Sequence, residues 1–556
     1  MGEWRTLEMI STPESRERML IELVRVPSVT GTARENDAAV FIFERLSELN
    51  YFKKNPSHIE MIPTPLEGDE ARPLHAVLAR MMADVPTRKT VVFIGHYDVV
   101  DVGVYGPLAE YAFDPPELAA RMAVEGYDTD EFIFGRGVMD MKCGVAIEME
   151  LLRDYDNNRD LLDVNVIVLA VPDEENTNCG MRGAVSRLAD LKRSGELEYI
   201  AGIDTEPGEP GLPDSPDQLV FLGAIGKLLT AFYCRGVESH VGNYYKGLSA
   251  ALLSAQIVCA AEGAPVRADP MRGVCPPSWV CLENRVLSEG YSVTVPKRAV
   301  AYFNCFITGK TPADILEEMR DVAREAGRRT IDQLTESHKA LSRIGYAPKM
   351  DVPSEIKVLT FSEIWDMASA SFAGGEPALR IFVSDLASAL PVSDVRDKGI
   401  GILEELIQIS GFEAPFVAVG FLPPYIPAKT SLDGLPASEA LLRAIDRIIV
   451  EACDKYGVTL RKEEFFAGLC DLSYLGFSGD TEDMRRFAKN CPASDKIFRI
   501  PFDDMAEINM PVVNLSVCGH DAHRRAERLN RDYSLRILPE LIVSAVSAIS
   551  EEWERR

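Results

Sequence analysis

The sequence predicts an α/β fold, in which a mostly parallel sheet with helices on both faces is interrupted by an inserted α+β domain. Two short runs of mainly apolar residues, VVFIGH at 91–96 and VNVIVLAV at 164–171, are typical of strands buried on both faces. A helical pattern at 141–155 lies between them, and such alternation of strand and helix indicates a parallel sheet. The pattern changes near residue 226 and returns near residue 435, which predicts the insertion.

The remaining elements follow in chain order. Residues 13–50 predict two helices separated by the loop SVTGT, because apolar residues recur there at helical spacing. A third buried strand is predicted at 199–204. After residue 226 the sequence predicts a helix at 247–263 and a hairpin at 279–308, and near the end a strand at 511–517 precedes a final helix.

The length sets the expected domain organisation. A chain of 556 residues is too long for one ordinary core. We expect a catalytic domain formed by residues 1–225 and 431–556, and an inserted domain at 226–430. Within the insertion, residues 345–430 contain several prolines and glycines, so we expect that stretch to be irregular.

Composition excludes several classes of function. The formal net charge of −27 argues against nucleic acid or an anionic membrane as a partner, because phosphate binding needs clustered Lys and Arg. The 11 cysteines include no CxxC pair, which argues against a zinc finger or a disulfide framework. The N-terminus lacks a signal-peptide pattern, and we expect no apolar run that reaches the length of a membrane span. We therefore expect a cytoplasmic protein with a small-molecule or short-peptide partner.

Histidines and carboxylates cluster where predicted strands end or a predicted helix begins. In open α/β sheets the ligand crevice lies outside the carboxyl ends of the strands. Five such clusters occur in a chain with only 7 histidines. They are His96 with Asp98, Asp140, Glu174 with Glu175, Asp204 with Glu206, and His520 with His523.

These residue types suit two divalent metal ions. Imidazole and carboxylate together are ligands of zinc, with cobalt or manganese as alternatives. Asp140 has two oxygens that can bridge a pair of ions. Glu174 and Glu175 are neighbours and point to opposite faces in an extended segment, so one can bind a metal while the other accepts a proton. Asp98, two residues after His96, can accept the second ring N–H of that histidine.

Four ordered motifs resemble a known family. GHYDVV, GRGVMDMKCGVA, PDEENTNCGMRGA and DTEP are similar to motifs of the dizinc metallopeptidase family of carboxypeptidase G, aminoacylase-1 and succinyl-diaminopimelate desuccinylase. GVESHVGNYYKGLSA resembles the start of that family's lid or dimerisation domain, and AHRRAE resembles its last ligand segment. The chain length, the YFNCF segment and residues 345–430 look most like the arginine-utilisation (RocB-type) branch.

The resemblance implies a role for each candidate residue. It makes Asp140 the bridging ligand, Glu174 the general base and Asp98 the partner of His96. It also implies that His240 polarises the scissile carbonyl, often from the partner subunit, and it suggests a homodimer through the lid domain. The implied metal ligands are His96, Asp140, Glu175, Glu206 and His523.

Two of these assignments choose between neighbours. The resemblance favours Glu206 over Asp204 because the family's ligand commonly precedes a proline, as in the EP of this chain. It favours His523 over His520 because only His523 has a glutamate four residues later, Glu527. If this segment were helical, Glu527 would lie beside His523 and orient its ring.

The chain departs from the family pattern at two positions. Phe306 stands where family members that bind a substrate carboxylate have an arginine, and Val293 stands where an asparagine is usual. Substrate recognition is therefore expected to differ, and a free α-carboxylate on the substrate is not assumed.

The predicted function is hydrolysis of a peptide or N-acyl amide bond in a small amino-acid-derived substrate, with arginine or amino-acid catabolism as the suggested context. One alternative is an N-deacylase of a modified amino acid. Another is a catalytically silent relative that acts as a binding or regulatory protein. The intact ligand set, with Glu174 and Asp140 both present, argues against a silent relative.

Overall fold

The computed structural model describes residues 9–66, 69–208, 217–271, 274–288, 290–346, 348–390, 394–466, 468 and 470–556. The chain divides into two compact units. Unit 1 comprises Met1–Ile225, Ala428–Ser478 and Pro501–Arg556, and unit 2 comprises Gly226–Pro427 and Gly479–Ile500. Residues 479–500, which the sequence analysis assigned to the catalytic domain, thus cluster with unit 2.

Helices and strands alternate along much of the chain. The α-helices are α1 (Pro13–Val24), α2 (Glu35–Ser47), α3 (Asn50–Lys54), α4 (Pro115–Val124), α5 (Lys142–Asn157), α6 (Cys179–Arg193), α7 (Ala250–Ala261), α8 (Pro312–Arg343), α9 (Phe361–Ser371), α10 (Gly375–Ala389), α11 (Val395–Ser410), α12 (Pro436–Glu451), α13 (Thr481–Lys489), α14 (Ser494–Ile497), α15 (Phe502–Ile508) and α16 (Leu538–Glu554). The strands are β1 (Ile59–Leu66), β2 (Asp69–Met81), β3 (Lys89–His96), β4 (Phe132–Phe134), β5 (Asn165–Val171), β6 (Glu198–Asp204), β7 (Pro207–Gly208), β8 (Gln218–Phe221), β9 (Gly223–Ala224), β10 (Gly226–Arg235), β11 (Val280–Val286), β12 (Arg298–Ile307), β13 (Lys357–Thr360), β14 (Phe416–Ile426), β15 (Lys429–Thr430), β16 (Leu460–Glu463), β17 (Val512–Leu515), β18 (Val517–His520) and β19 (Arg528–Asn530).

The main sheet of unit 1 has eight strands in the order β1-β2-β5-β3-β6-β17-β8-β16. Its centre, β5-β3-β6-β17, is parallel, whereas β1, β2 and β8 add antiparallel pairings. This arrangement confirms the predicted α/β fold. The register places His96 opposite Val171 and Ile94 opposite Asp204, so the carboxyl ends of β3, β5 and β6 lie side by side.

The predicted buried strands form the core of unit 1. All seven residues of β5 are buried, and seven of the eight residues of β3 are buried. Side chains from α1, α2, α5, α12 and α16 belong to the same apolar cluster. Polar side chains at the ends of these strands are therefore carried on a rigid, well-packed frame.

One described helical stretch, Tyr533–Glu554, is apolar and long enough to cross a membrane by length and composition. No such stretch was expected from the sequence. In the structure 72% of its most apolar window is buried inside the protein, and α16 within it packs against α12. This burial is typical of a core helix.

A second sheet of unit 1 supports two loops that matter for the site. It has four strands in the order β4-β19-β18-β7. The antiparallel pairing of β4 with β19 sets Phe134 opposite Arg528, and β18 pairs with β19 so that His520 also lies opposite Arg528. The loop after β4 and the loop after β18 are therefore brought together.

Unit 2 is built on a five-stranded sheet in the order β11-β12-β10-β14-β13. The predicted hairpin at 279–308 is confirmed, because β11 and β12 pair antiparallel with Val280 opposite Asn304. The prediction that residues 345–430 are irregular is wrong. This stretch contains α9, α10, α11 and the fully buried strand β14.

Glycines and polar capping residues of this stretch lie at the ends of its helices. Thr360 caps α9 and forms a capping box with Glu363. Gly374, which precedes α10, and Gly375, its first residue, both have positive φ, 91° and 66°. Asp394 caps α11 through two backbone N–H groups.

Candidate metal centre

The first group of possible metal ligands forms around His96, the last residue of β3. Its side chain is 1% exposed. The Nε2 atom lies 3.1 Å from Oδ1 of Asp140 and 3.5 Å from Oε1 of Glu206. The Nδ1 atom lies 3.0 Å from the backbone oxygen of Asp98, which fixes the ring orientation. His96, Asp140 and Glu206 thus place one ligand atom each within 4.8 Å of one another.

A second group forms on the other oxygen of Asp140. The Nε2 atom of His523 lies 3.0 Å from Oδ2 of Asp140 and 2.7 Å from Oε1 of Glu175. Asp140 therefore presents one carboxylate oxygen to each histidine. The His523 side chain is 47% exposed, so this group lies at the open side of the centre.

Asp98 organises the turn that carries the two adjacent glutamates. Its Oδ1 accepts a hydrogen bond from the backbone N–H of Glu174 at 3.1 Å, and its Oδ2 accepts one from that of Glu175 at 3.3 Å. Oδ1 also lies 3.5 Å from Nδ1 of His96. Asp98 is fully buried, so these contacts are shielded from water.

The electrostatics of the cluster fit divalent cations. Hydrogen bonds to Asp140 and Glu175 raise the pKa of His523 to about 10. Burial raises the pKa of Glu206 and of Glu174 well above the usual range. Within the described part of the chain, Oε1 of each of these two glutamates is buried without a hydrogen-bond partner. Buried carboxylates normally pair with cations or coordinate metals, so the residues present fit a pair of metal ions.

Asp204 and His520, the two sequence neighbours, lie outside these groups. Asp204 accepts hydrogen bonds from its neighbour Thr205 at 2.7 Å and from the Cys470 thiol at 3.1 Å. It shares a possible metal group only with Glu206 and Cys470, without a histidine, among the described residues. His520 packs against the Phe132 ring, with centroids 5.7 Å apart.

The expected role of Glu527 is wrong. Its buried carboxylate pairs with Arg136 and accepts hydrogen bonds from the backbone N–H groups of Gly137 at 2.8 Å and Met139 at 3.3 Å. The segment after β18 is a series of turns, not a helix, and His523 itself has a φ of 63°. Glu527 therefore holds the loop that leads to Asp140 and does not orient the His523 ring.

Sequence reasoning missed Asp471. This fully buried carboxylate accepts a hydrogen bond from Asn178 at 3.3 Å, and its charge acts with burial to raise the pKa of Glu174. The segment CDLSY at 470–474 follows no predicted strand and contains no histidine. Only the folded chain shows that it lies behind the two glutamates.

His240 belongs to unit 2, where it is exposed. Its Nδ1 accepts a hydrogen bond from the backbone N–H of Gly242 at 3.1 Å, at the start of a short 3-10 helix, Val241–Lys246. Its predicted action on the substrate carbonyl stays a prediction.

Comparison with known proteins identifies the family. The model of peptidase family M20/M25/M40 matches residues 92–475, which is more than half of the chain. The chain belongs to this family. It is accordingly a hydrolase of the M20 peptidase family, and the sequence resemblance is confirmed. The matched range includes His96, Asp140, Glu175 and Glu206. His523 lies beyond this range, but in the structure it lies close to Asp140 and Glu175.

Two proteins of similar length are similar in sequence to this chain over nearly its whole length. The uncharacterized protein YqjN of Bacillus subtilis is 28% identical over 546 residues, covering 96% of this chain and 96% of that protein. The protein RocB of Bacillus subtilis is 29% identical over 554 residues, covering 97% of this chain and 96% of RocB. The M20 family metallo-carboxypeptidase Sso-CP2 from Sulfolobus solfataricus has a TM-score of 0.52 at 13% identity, covering 96% of this chain and 99% of that chain. This last likeness shows the M20 fold.

Proposed function

We propose that this M20 hydrolase holds two divalent metal ions and cleaves a peptide or N-acyl amide bond of a small amino-acid-derived substrate. The observation that supports this proposal is the division of the Asp140 carboxylate between two histidines, with Oδ1 3.1 Å from His96 and Oδ2 3.0 Å from His523. A bridging carboxylate with one imidazole on each side is the arrangement that a dinuclear hydrolase needs.

Two ligand sets follow from this arrangement. His96, Asp140 and Glu206 would hold one ion, and His523, Asp140 and Glu175 would hold the other. Zinc is the default for such an imidazole and carboxylate set, with cobalt or manganese as alternatives. When bound, the pair of ions would supply polarisation of the scissile carbonyl and a lower pKa for a coordinated water.

Glu174 is the proposed general base. Its Oε1 is buried without a partner in the described part of the chain, whereas Glu175 faces His523. Glu174 would accept the proton of the attacking water at this oxygen and return it to the leaving amine. Asp98 positions the base, because its carboxylate binds the backbone N–H of Glu174.

The proposed substrate class is based on family membership and on one position at which this chain differs from the family pattern. Phe306 occupies the position at which the carboxylate-binding members of the resembled family have an arginine, so a free α-carboxylate is not the recognition element that we propose. The resemblance of the sequence to the arginine-utilisation (RocB-type) branch is the basis for proposing a cytoplasmic role in arginine or amino-acid catabolism. The proposed partner is a small molecule or a short peptide, and a homodimer through unit 2, with His240 acting on the substrate, belongs to the same proposal.

The proposal is tested by metal analysis together with Glu174→Gln. The purified protein should contain about two divalent ions per chain. Against a panel of dipeptides and N-acyl amino acids, Glu174→Gln should keep its metal content and lower turnover by about 100- to 10,000-fold, because the proton acceptor is lost. Glu125→Gln is the matched control, because Glu125 is an exposed glutamate paired with Arg525. Near-normal turnover in Glu174→Gln would contradict the assignment of Glu174 as general base. An active protein without metal would contradict the dinuclear centre.

A further inference from the structure

A cavity within unit 2 has no place in the proposed reaction. Its volume is about 330 Å³, within the range of about 300–1,000 Å³ that is usual for small-molecule sites. It is lined by α9, α10, α11 and residues 488–496. None of the candidate metal ligands lines it. Three of the helices that build it, α9, α10 and α11, lie in the stretch 345–430, which was expected from the sequence to be irregular.

The cavity has an apolar floor. Phe361, Val383 and Leu406 are buried there, at 4%, 3% and 2% exposure. Trp365 adds an aromatic wall, with the Arg380 guanidinium 5.3 Å from its ring centroid. Such a floor favours the aliphatic or aromatic part of a ligand over bulk water.

The rim carries unpaired charges of both signs. Arg380 is neutralised by Glu376, with Nη2 2.5 Å from Oε1. The other charged lining residues are two carboxylates and two ammonium groups, and none of them has an ion pair within the described part of the chain. They are Asp366, Asp495, Lys489 and Lys496.

The cavity wall also includes a residue in an unfavourable backbone conformation. Ala493 is 8% exposed and has a φ of 50°, in the left-handed region that non-glycine residues seldom occupy. Its backbone oxygen accepts hydrogen bonds from the N–H groups of Lys496 and Ile497, at 2.8 and 2.9 Å. This turn fixes the segment that carries Asp495 and Lys496. Non-glycine residues held in such conformations are concentrated at ligand sites.

From this cavity we infer a second, non-catalytic site that binds a free α-amino acid. The two carboxylates complement an α-ammonium group, the two lysines complement an α-carboxylate, and the apolar floor receives the side chain. A ligand with one charge only would leave half of these rim groups unused. A free amino acid is also what hydrolysis of an amino-acid amide releases, but the site is inferred from its own residues and stands whether or not that reaction does.

The first test is direct binding to the metal-loaded full-length protein. Each common L-amino acid is titrated by calorimetry, with fluorescence of Trp365, one of 4 tryptophans, as a second readout. For the tightest binder, the amine that lacks the carboxylate and the acid that lacks the amino group are then compared with it. Each analogue should bind about tenfold more weakly or worse, because one set of charged contacts is lost. Equal binding of either analogue would overturn the zwitterionic class.

Variants then locate the site. Lys496→Glu and Asp366→Lys should each raise the dissociation constant about tenfold or more. Lys339→Glu in α8 makes the same charge change outside the cavity, on an exposed residue of unit 2, and should leave the constant within about twofold. His523→Ala should also leave it unchanged. The inference is overturned if no amino acid binds at millimolar concentration, if the cavity variants match Lys339→Glu, or if only His523→Ala abolishes binding.

Discussion

Replacing Asp98 by Asn tests whether one buried carboxylate holds in place the turn that carries the proposed metal ligand Glu175. The two oxygens of Asp98 accept hydrogen bonds from the backbone N–H groups of Glu174 and Glu175, at 3.1 and 3.3 Å. Oδ2 also accepts one from Thr30 Oγ1 at 2.9 Å. Both oxygens are therefore in use, and the side chain is fully buried.

The expected magnitude follows from these contacts. An Asn side chain offers one acceptor oxygen, so its NH₂ group faces the backbone N–H of Glu174 in one orientation, and that of Glu175 together with the Thr30 hydroxyl in the other. The loss of one charge-assisted hydrogen bond costs about 1.5–3 kcal/mol, and it falls on the turn that carries Glu175. Each 1.4 kcal/mol corresponds to a tenfold change, so we expect metal affinity to fall by about 10- to 100-fold.

Chelator competition with zinc measures this change in affinity. Asp101→Asn is the matched control, because it makes the same substitution three residues later on an exposed side chain that accepts one hydrogen bond, from Gly103 N–H at 2.7 Å. The control should bind zinc as the wild type does. If the zinc affinity of Asp98→Asn stays within about twofold of the wild type, or if both variants lose affinity equally, the hydrogen bonds of Asp98 do not hold the turn in place.

Three further predictions concern the bridge, the choice of histidine and a buried lysine. Asp140→Ala should lose both ions on dialysis, because each ion loses a ligand. Full retention of both ions in elemental analysis would contradict the bridging role of Asp140. His523→Ala should lose one ion and most activity, whereas His520→Ala should keep both ions, and the reverse result would move the ligand by three residues. Burial lowers the pKa of Lys429 from its usual 10.5 to about 8. The folded protein therefore binds fewer protons than the unfolded chain between these pH values, and stability rises with pH across this window. In urea unfolding at the two ends of the window, Lys429→Met should remove this contribution, worth about 3 kcal/mol in full; an unchanged pH slope would contradict it.

Much of the candidate site was predictable because it depends on strand ends. A parallel sheet brings the carboxyl ends of its strands to one edge, so His96 and Asp204 become neighbours although they are far apart in the chain. The positions of the glutamates follow from the same rule. The strand β5 ends at Val171, three residues before Glu174. Apolar runs alone were enough to locate these ends.

The rest depends on tertiary contacts that have no local signal. The i, i+4 relation assumed for His523 and Glu527 requires a helix, and positive φ at Asp521 and His523 rules one out. Asp471 comes from a segment without strand or helix periodicity, and its position behind Glu174 is set by packing. The prediction for residues 345–430 was wrong because glycine occurs at the ends of helices as well as in irregular segments.

The position of β17 has a consequence for synthesis of the chain. This strand, Val512–Leu515, pairs with β6 on one side and with β8 on the other, so the strand of the main sheet that is synthesised last fills its middle. Until it is made, β6 and β8 each have an unpaired edge, which is the kind of surface that promotes association of nascent chains. His523 comes after both β17 and β18 in the chain, so this proposed metal ligand is synthesised later than the strand that closes the sheet. A ribosome-stalled chain that ends before residue 512 therefore has both exposed strand edges and lacks His523, one of the proposed metal ligands.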